Sequence, residues 1–283
     1  MTAPRCWLFV PGDSARKIER ALAGEADALI FDWEDAVAPA AKAAAREITL
    51  AALAASAAPA GRCWIRVNAL DSPHFDADIA QLPVASVAGV VLPKACGIAD
   101  LERLGRALAA SERTAGVSAG HLGIVAIVTE TAASVLALSE FRRPLPRLEA
   151  MMWGGEDLAG DLGVARNRDD AGAYRAPFQL ARNLMLLAAA AAECSAIDAV
   201  RVDYAELDAL AVESAQARDD GFTAKAAIHP AQVAPIQRSF TPSPAELEWA
   251  RRVVAALAEG GLGVVDGRMV DAPHLRLARR ILS

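Results

Sequence analysis

The chain has 283 residues and a formal net charge of −6, with 35 acidic side chains against 29 basic ones. No basic stripe appears, which argues against a nucleic-acid partner, though not against an anionic small ligand held by local arginines. The longest apolar run, LMLLAAAAA at 184–192, falls well short of the roughly 20 residues of a membrane span.

The start, MTAPRCWLFVPGD, has too short an apolar run for a signal peptide. Cys6, Cys63, Cys96 and Cys194 form no CxxC pair, so they are expected to be small buried hydrophobes in a reducing cytoplasm. The length suits one large α/β domain or two small ones.

In chain order, β-rich runs alternate with longer helical segments. The expected strands are CWLFV (6–10), ALIFD (28–32), CWIRV (63–67), GVVLP (89–93), GIVAIV (123–128), EAMMW (149–153), AIDAV (196–200) and KAAIH (225–229). They are continuous rather than alternating in hydrophobicity, as parallel strands covered on both faces must be. Helices are expected over 14–23, 39–56, 98–111, 131–139, 176–193 and 205–218, with Pro39 opening the second. Eight strands joined by crossovers predict an α/β fold, a (β/α)8 TIM barrel over residues 1–238. A doubly wound open sheet is the alternative, but VPGDS after the first strand is not a GxGxxG phosphate fingerprint. Residues 239–283, from FTPSPAELEW onward, lie outside the strand count. They read as a C-terminal helical extension that packs on the barrel or on a neighbouring subunit.

Barrel active sites sit at the C-terminal ends of the strands, and unusual polar residues gather there. Strand two ends in Asp32, Glu34 and Asp35, and strand three carries Arg66 and Asn68. Strand four ends in Lys94, strand five in Thr129 and Glu130, strand six in Glu156 and Asp157, and strand eight in His229 and Gln232. Taken singly, Arg66 is an ordinary ion-pair residue, Lys94 a solvated loop lysine, and Glu130 an acid favoured at a helix N-terminus. His229 alone satisfies backbone groups at a turn. Their joint placement points instead to one site. Glu130 and Asp157 follow adjacent strands about 4.8 Å apart, so the two carboxylates can share a cation, and two carboxylates plus water describe a Mg2+ site. Gly154 and Gly155 are expected to bend the sixth strand end toward that ion.

These stretches resemble the citrate lyase β-subunit-like members of the HpcH/HpaI aldolase/citrate lyase family, the citramalyl-CoA and malyl-CoA lyases among them. The resemblance is carried in order by RCWLFVPGD, ADALIFDWEDAVAPAAKAAAR, IRVN, GVVLPKA, IVTETA, WGGEDLAGDLG, GFTAKAAIHPAQV and DGRMVDAPHL. It implies a TIM barrel assembled as a homotrimer or hexamer, with Mg2+ as cofactor and a CoA thioester as substrate. By the same resemblance Glu130 and Asp157 hold the metal, with Glu130 also at the substrate, and Arg66 holds the thioester or carboxylate oxygen. Glu34 and Asp35 organise metal-bound water. Asp271 serves as acid/base in a neighbouring subunit's site, and Arg5 and Lys17 meet the CoA phosphates. The tail with Asp271 favours a CoA-ester lyase over the subunit that works on an acyl carrier protein. Two positions depart from the family pattern: Trp33, where a smaller aliphatic residue is usual, and Ala224, where glycine is common. Trp33 either narrows the pocket or fills the outer barrel layer.

The implied reaction is cleavage of a 3-hydroxyacyl-CoA to acetyl-CoA and a keto acid. A malyl-CoA-type thioesterase, a non-catalytic CoA-ester-binding protein and a CoA-independent aldolase using His229 as base remain as alternatives. The acyl group, whether citramalyl, malyl, methylmalyl or citryl, stays open.

Overall fold

Strands too apolar to leave either face in water need cover on both sides, and a closed parallel sheet ringed by helices supplies it. The structure, a computed structural model, describes residues 3–258 and 260–282. The strands β1 (Cys6–Pro11), β2 (Ala28–Asp32), β3 (Cys63–Arg66), β4 (Gly89–Leu92), β5 (Gly123–Ile127), β6 (Leu148–Met152), β7 (Ser195–Asp198) and β8 (Ala224–Ala227) close into a barrel in sequence order. Each neighbouring pair is parallel, including β8 with β1.

Between and after them run α1 (Ala15–Leu22), α2 (Lys42–Ala55), α3 (Phe75–Ala80), α4 (Ile98–Ala115), α5 (Ala132–Ala137), α6 (Gly155–Asp161), α7 (Ala176–Ala191), α8 (Leu207–Asp220) and α9 (Val233–Phe240). Every predicted strand is present. α4 runs past its expected end to Ala115, where Gly116 takes a left-handed φ of 71° that stops it. Within GGEDLAGDLG, which lies outside the expected helices, Gly155–Asp161 form α6. Of the four cysteines, Cys6 and Cys63 are buried as expected, Cys194 is half-buried, and Cys96 is exposed in the loop after β4.

Alternate residues of each strand point into the barrel. Trp7, Ile30, Trp64, Val91, Val125, Ile127, Ala150, Met152, Ile197 and Ala226 form that interior. Large and small residues interlock in its lower layers: a Cβ on Gly89 would lie 2.6 Å from the Trp64 ring, and Trp7 and Trp64 meet with ring centroids 5.2 Å apart. Continuing the same alternation up β2 and β3 brings Asp32 and Arg66 inward, above Ile30 and Trp64. The register pairs them side by side. The polar layer is therefore the last layer of the barrel, at the C-terminal mouth.

Outside the barrel, one ion pair ties α4 to the approach to β6. The fully buried Glu112 carboxylate accepts from Arg147 Nη1 at 2.6 Å and Nη2 at 2.7 Å, and from the N–H groups of Leu122 and Gly120. The Arg147 fork leads the forces that lower the Glu112 carboxyl to about 2. An unfolded glutamate titrates near ~4.3, so this stabilisation is complete above that pH and drains away as pH falls toward 2. The wild type should lose about 1.5 kcal/mol of unfolding free energy through this group between pH 5 and pH 3. Urea unfolding at both pH values checks it: Glu112→Gln should show that much less pH dependence, and equal slopes would discard the assignment.

Contacts divide the chain into two compact units, Arg5–Ser239 and a second that includes the chain from Phe240 onward. In the second, α10 (Pro244–Ala256) begins at a reciprocal cap: Ser243 Oγ accepts the Glu246 N–H and Glu246 accepts the Ser243 N–H. The antiparallel strands β9 (Gly263–Val265) and β10 (Arg268–Val270) and helix α11 (Ala272–Leu282) complete it. Val253, Leu257, Val265, Val270 and Ala278 are its buried core.

Candidate active site

The crowding of acids after β2 is resolved by two cations. Arg66 grips Asp32 with a fork, Nε to Oδ1 at 2.8 Å and Nη2 to Oδ2 at 2.5 Å, the bidentate geometry that guanidinium matches best. Its Nη1 stands 2.9 Å from Glu34 Oε2 and 3.8 Å from Asp35. Lys94 Nζ takes the other oxygen of Glu34. The chain wraps around the Asp32 carboxylate, which also accepts the N–H groups of Glu34 at 2.8 Å and Ala36 at 3.0 Å. Below the loop, Lys42 Nζ donates to the carbonyls of Trp33 and Glu34.

Burial pushes the Glu34 carboxyl up against the pull of Arg66 and Lys94. Burial pushes Asp35 the same way, but bonding to Glu34 and the charges of Arg66 and Lys94 bring it below the usual range. Burial disfavours the Arg66 charge, and the adjacent Asp32 more than reverses this. The side-chain partners of Glu34 and Asp35 are Arg66 and Lys94, and Asp35 is half exposed.

Glu130, at 2% exposure, follows β5, and Asp157 lies in the first turn of α6, after β6. Both line one cavity of about 300 Å³, together with Asp32, Arg66 and Glu156. The Glu130 carboxyl is pushed up to about 8, chiefly by burial, with the Asp157 charge adding and the Lys94 N–H opposing. Two carboxylates facing one cavity, one of them buried and costly to ionise, form a donor set that a hard divalent cation satisfies. Among the described residues no group of three or more His, Cys, Asp or Glu side chains is placed to hold a metal. A cation held by two carboxylates alone would keep positions open for water or substrate.

Gly154 makes room for this pair. A Cβ there would lie 2.9 Å from Glu130 Cγ. Its φ of −120° is open to any residue, so space, rather than the expected backbone bend, requires the glycine. Its N–H donates to Thr129 Oγ1 at 2.9 Å.

Lys94 is more than a solvated loop lysine. It holds a left-handed φ of 53°, a conformation that costs a lysine on the order of 1 kcal/mol. That conformation aims its N–H at Glu130 Oε2 while its ammonium reaches Glu34. One residue thereby joins the Glu130 carboxylate to the carboxylate that flanks Arg66.

Trp33 is fully buried, donating Nε1 to Thr49 at 3.1 Å. It packs beneath the loop and is absent from the cavity lining, so it fills the outer layer. Trp153 does line the cavity, and its indole N–H is held by Asp198 Oδ1 at 2.7 Å. Asp198 is gripped in turn by the fully buried Lys225 at 2.7 Å and by Arg182 at 3.1 Å. Tyr174 stands edge-on to Trp153, with centroids 4.7 Å apart. Sequence reasoning missed this wall because each member reads alone as an ordinary core residue.

A second cavity, also about 300 Å³, is lined by Arg16, Lys17, Arg20 and His229 and shares Phe9, Pro11 and Ile228 with the first. Lys17 lines it together with two further cations of α1. Arg16 and Arg20 were missed, although their one-turn spacing beside Lys17 signals a basic helix face. Arg5 is not there: it precedes β1 and so lies at the opposite end of the strands from both cavities. His229 accepts the Ala231 N–H and stacks on Tyr204 at 4.8 Å, outside the first cavity, which removes support for the histidine-base aldolase. Asp271 belongs to the second unit, where its Oδ1 lies 2.7 Å from His274 Nδ1.

The HpcH/HpaI aldolase/citrate lyase family model matches residues 5–230. A (3S)-malyl-CoA thioesterase of Cereibacter sphaeroides is 36% identical, over 99% of this chain and 93% of its own length. The mitochondrial citramalyl-CoA lyase of Rattus norvegicus is 29% identical, over 99% and 85%. Among solved structures, the protein CitE of Mycobacterium tuberculosis, in complex with magnesium, acetoacetate and coenzyme A, superposes with a TM-score of 0.79. It is 34% identical and covers 99% of this chain and 97% of that one.

Proposed function

Since the chain belongs to the HpcH/HpaI aldolase/citrate lyase family, we propose that it is a Mg2+-dependent lyase that splits a 3-hydroxyacyl-CoA into acetyl-CoA and a 2-keto acid. The observation that carries this reading is the meeting of Arg66, Glu130 and Asp157 in one cavity beside a cation-lined groove. Glu130 and Asp157 would hold the metal, which when bound supplies Lewis-acid polarisation of the substrate's oxygen atoms. Arg16, Lys17 and Arg20 suit the phosphates of CoA, and the shared residues Phe9, Pro11 and Ile228 lead its thioester toward Arg66.

As the bond between the carbinol carbon and its neighbour breaks, the electron pair moves onto the thioester as an enolate. Arg66 has five N–H donors, and those not engaged by Asp32 and Glu34 are free for the thioester oxygen. Because the fork to Asp32 fixes the guanidinium plane, this charge stabilisation needs no reorganisation during the reaction. The hydroxyl proton has acceptors in the carboxylates lining the cavity. The enolate carbon then takes a proton, which we assign to Asp271 of a neighbouring copy in a homo-oligomer.

The sequence similarity to a (3S)-malyl-CoA thioesterase supports a second reading, in which the same groups activate water against the thioester. Product analysis with Mg2+ separates the two. The lyase yields acetyl-CoA and keto acid in equal amounts. Free hydroxy acid and CoA without keto acid would replace our reading with the thioesterase.

A further inference from the structure

The catalytic cavity has two distinguishable ends. Phe9, Pro11 and Ile228 join it to the cation-lined groove, whereas Tyr174 is shared with a third cavity of about 590 Å³. Tyr174 belongs to the metal end. Gly155, in the same first turn of α6 as Asp157, sits against both aromatic rings: a Cβ there would lie 3.0 Å from Trp153 Cζ3 and 3.6 Å from Tyr174 Cε1. On the far side of the Tyr174 ring, the third cavity carries Arg168, Arg182 and Arg201 against Glu213 and Asp220.

The half-buried Tyr174 ring is held from two directions. The Arg168 guanidinium lies over it, 3.6 Å from the centroid, and Trp153 meets it edge-on. Arg168 is fixed in turn by Glu213 at 3.0 Å and by the Gly172 carbonyl at 2.8 Å. Glu213 accepts from the fully buried Lys225 at 2.8 Å, Lys225 also holds Asp198, and Asp198 holds the Trp153 indole. The contacts thus close on themselves around the wall. The backbone that carries Tyr174 is pinned as well, Arg175 N–H to the Asn167 carbonyl and Asp169 N–H to the Ala173 carbonyl, both at 2.9 Å. Swinging the ring aside would forfeit both the cation–π contact and the aromatic pair.

We infer that Tyr174 is a specificity-determining residue: its ring is the partition between the catalytic cavity and the arginine-lined one, and it limits the reach of the group carried on the carbinol carbon. The inference rests on the reading above for its direction, since an acyl group held at Glu130 and Asp157 with its thioester toward the groove turns its far end to Tyr174.

The test uses the full-length protein with Mg2+ and titrates pyruvate, 2-oxohexanoate and 2-oxoadipate calorimetrically, without turnover. Tyr174→Ala removes the ring. Affinity for 2-oxohexanoate relative to pyruvate should then rise at least ~10-fold over the wild type, the scale on which a pocket admits or refuses methylenes. 2-Oxoadipate ends the same chain in a carboxylate and should gain at least as much, because its far end enters the arginine-lined cavity. Tyr174→Phe keeps the ring and should keep the wild-type ratios. The same comparison is read from kcat/KM for CoA esters bearing methyl or n-butyl on the carbinol carbon, whichever products are released.

Unchanged ratios in a Tyr174→Ala protein that unfolds cooperatively overturn the inference, as does a gain for 2-oxohexanoate that 2-oxoadipate does not share. Should the alanine variant fold poorly, Tyr174→Leu replaces it, with a smaller gain of the same sign expected and no gain counting against the partition. Shifted ratios with ester hydrolysis in place of carbon–carbon cleavage refute the lyase and leave the partition standing. Cleavage with unshifted ratios does the reverse. A wild type that binds no keto acid and turns over no ester overturns both.

Discussion

Glu130→Gln should lower kcat/KM by about 10³-fold or more, since removing a charged metal ligand forfeits several kcal/mol of stabilisation at the reacting oxygens. Asp157→Asn should do the same, and in both variants calorimetric titration with Mg2+ should lose its saturable site. Retained, metal-dependent turnover in both variants would refute the assignment. The two differ in a second respect. Burial lifts the Glu130 carboxyl to about 8 in the metal-free protein, against ~4.3 unfolded. A carboxyl raised in the folded state contributes stability that is complete below ~4.3 and is lost as pH rises through about 8. The metal-free wild type should therefore weaken between pH 5 and 8 by a component that Glu130→Gln lacks. Mg2+ binding at pH 7 should release close to one proton, measured by calorimetry in two buffers of different ionisation enthalpy. No such release is expected in Glu130→Gln.

Much of this site could be read from strand endings. Continuous apolar runs located the eight strands, and the rule that barrel sites lie at the C-terminal mouth then pointed to Glu130, Asp157 and Arg66. Which neighbour each group faces was not legible, because that depends on register and on loop conformation. Asp32 meets Arg66 because β2 and β3 pair at that level and both positions face inward. Lys94 looked like a solvated lysine because a left-handed backbone at a non-glycine position leaves no mark in the residue type. Arg5 was misplaced for a related reason: proximity in sequence to a strand says nothing about which end of the barrel the residue occupies. The wall of Trp153, Asp198 and Lys225 joins residues from three strands and their loops, and its hydrogen bonds appear only once the barrel closes.

Arg66→Lys should lower kcat/KM by roughly 10²–10³-fold while KM changes little, because the lost interaction forms mainly as enolate charge develops. The substitution keeps the positive charge and sacrifices the fork. A single ammonium cannot hold Asp32 by two parallel bonds and still reach Glu34, so the charge remains but its aim is lost. Arg66→Gln is a poorer probe. It leaves the buried Asp32 carboxylate without its cation, which costs about 3–5 kcal/mol of stability and confounds activity with unfolding. Asp32→Asn completes the comparison: it leaves the guanidinium charged but weakens the grip that orients it. If Arg66 acts through preorganised geometry, Asp32→Asn should lower kcat with thermal stability less affected than in Arg66→Gln. If Arg66 is only a structural ion-pair partner, activity in all three variants should follow stability alone. Steady-state kinetics paired with thermal unfolding of the same preparations distinguishes the cases, and Arg66→Lys retaining wild-type kcat would remove Arg66 from the reaction.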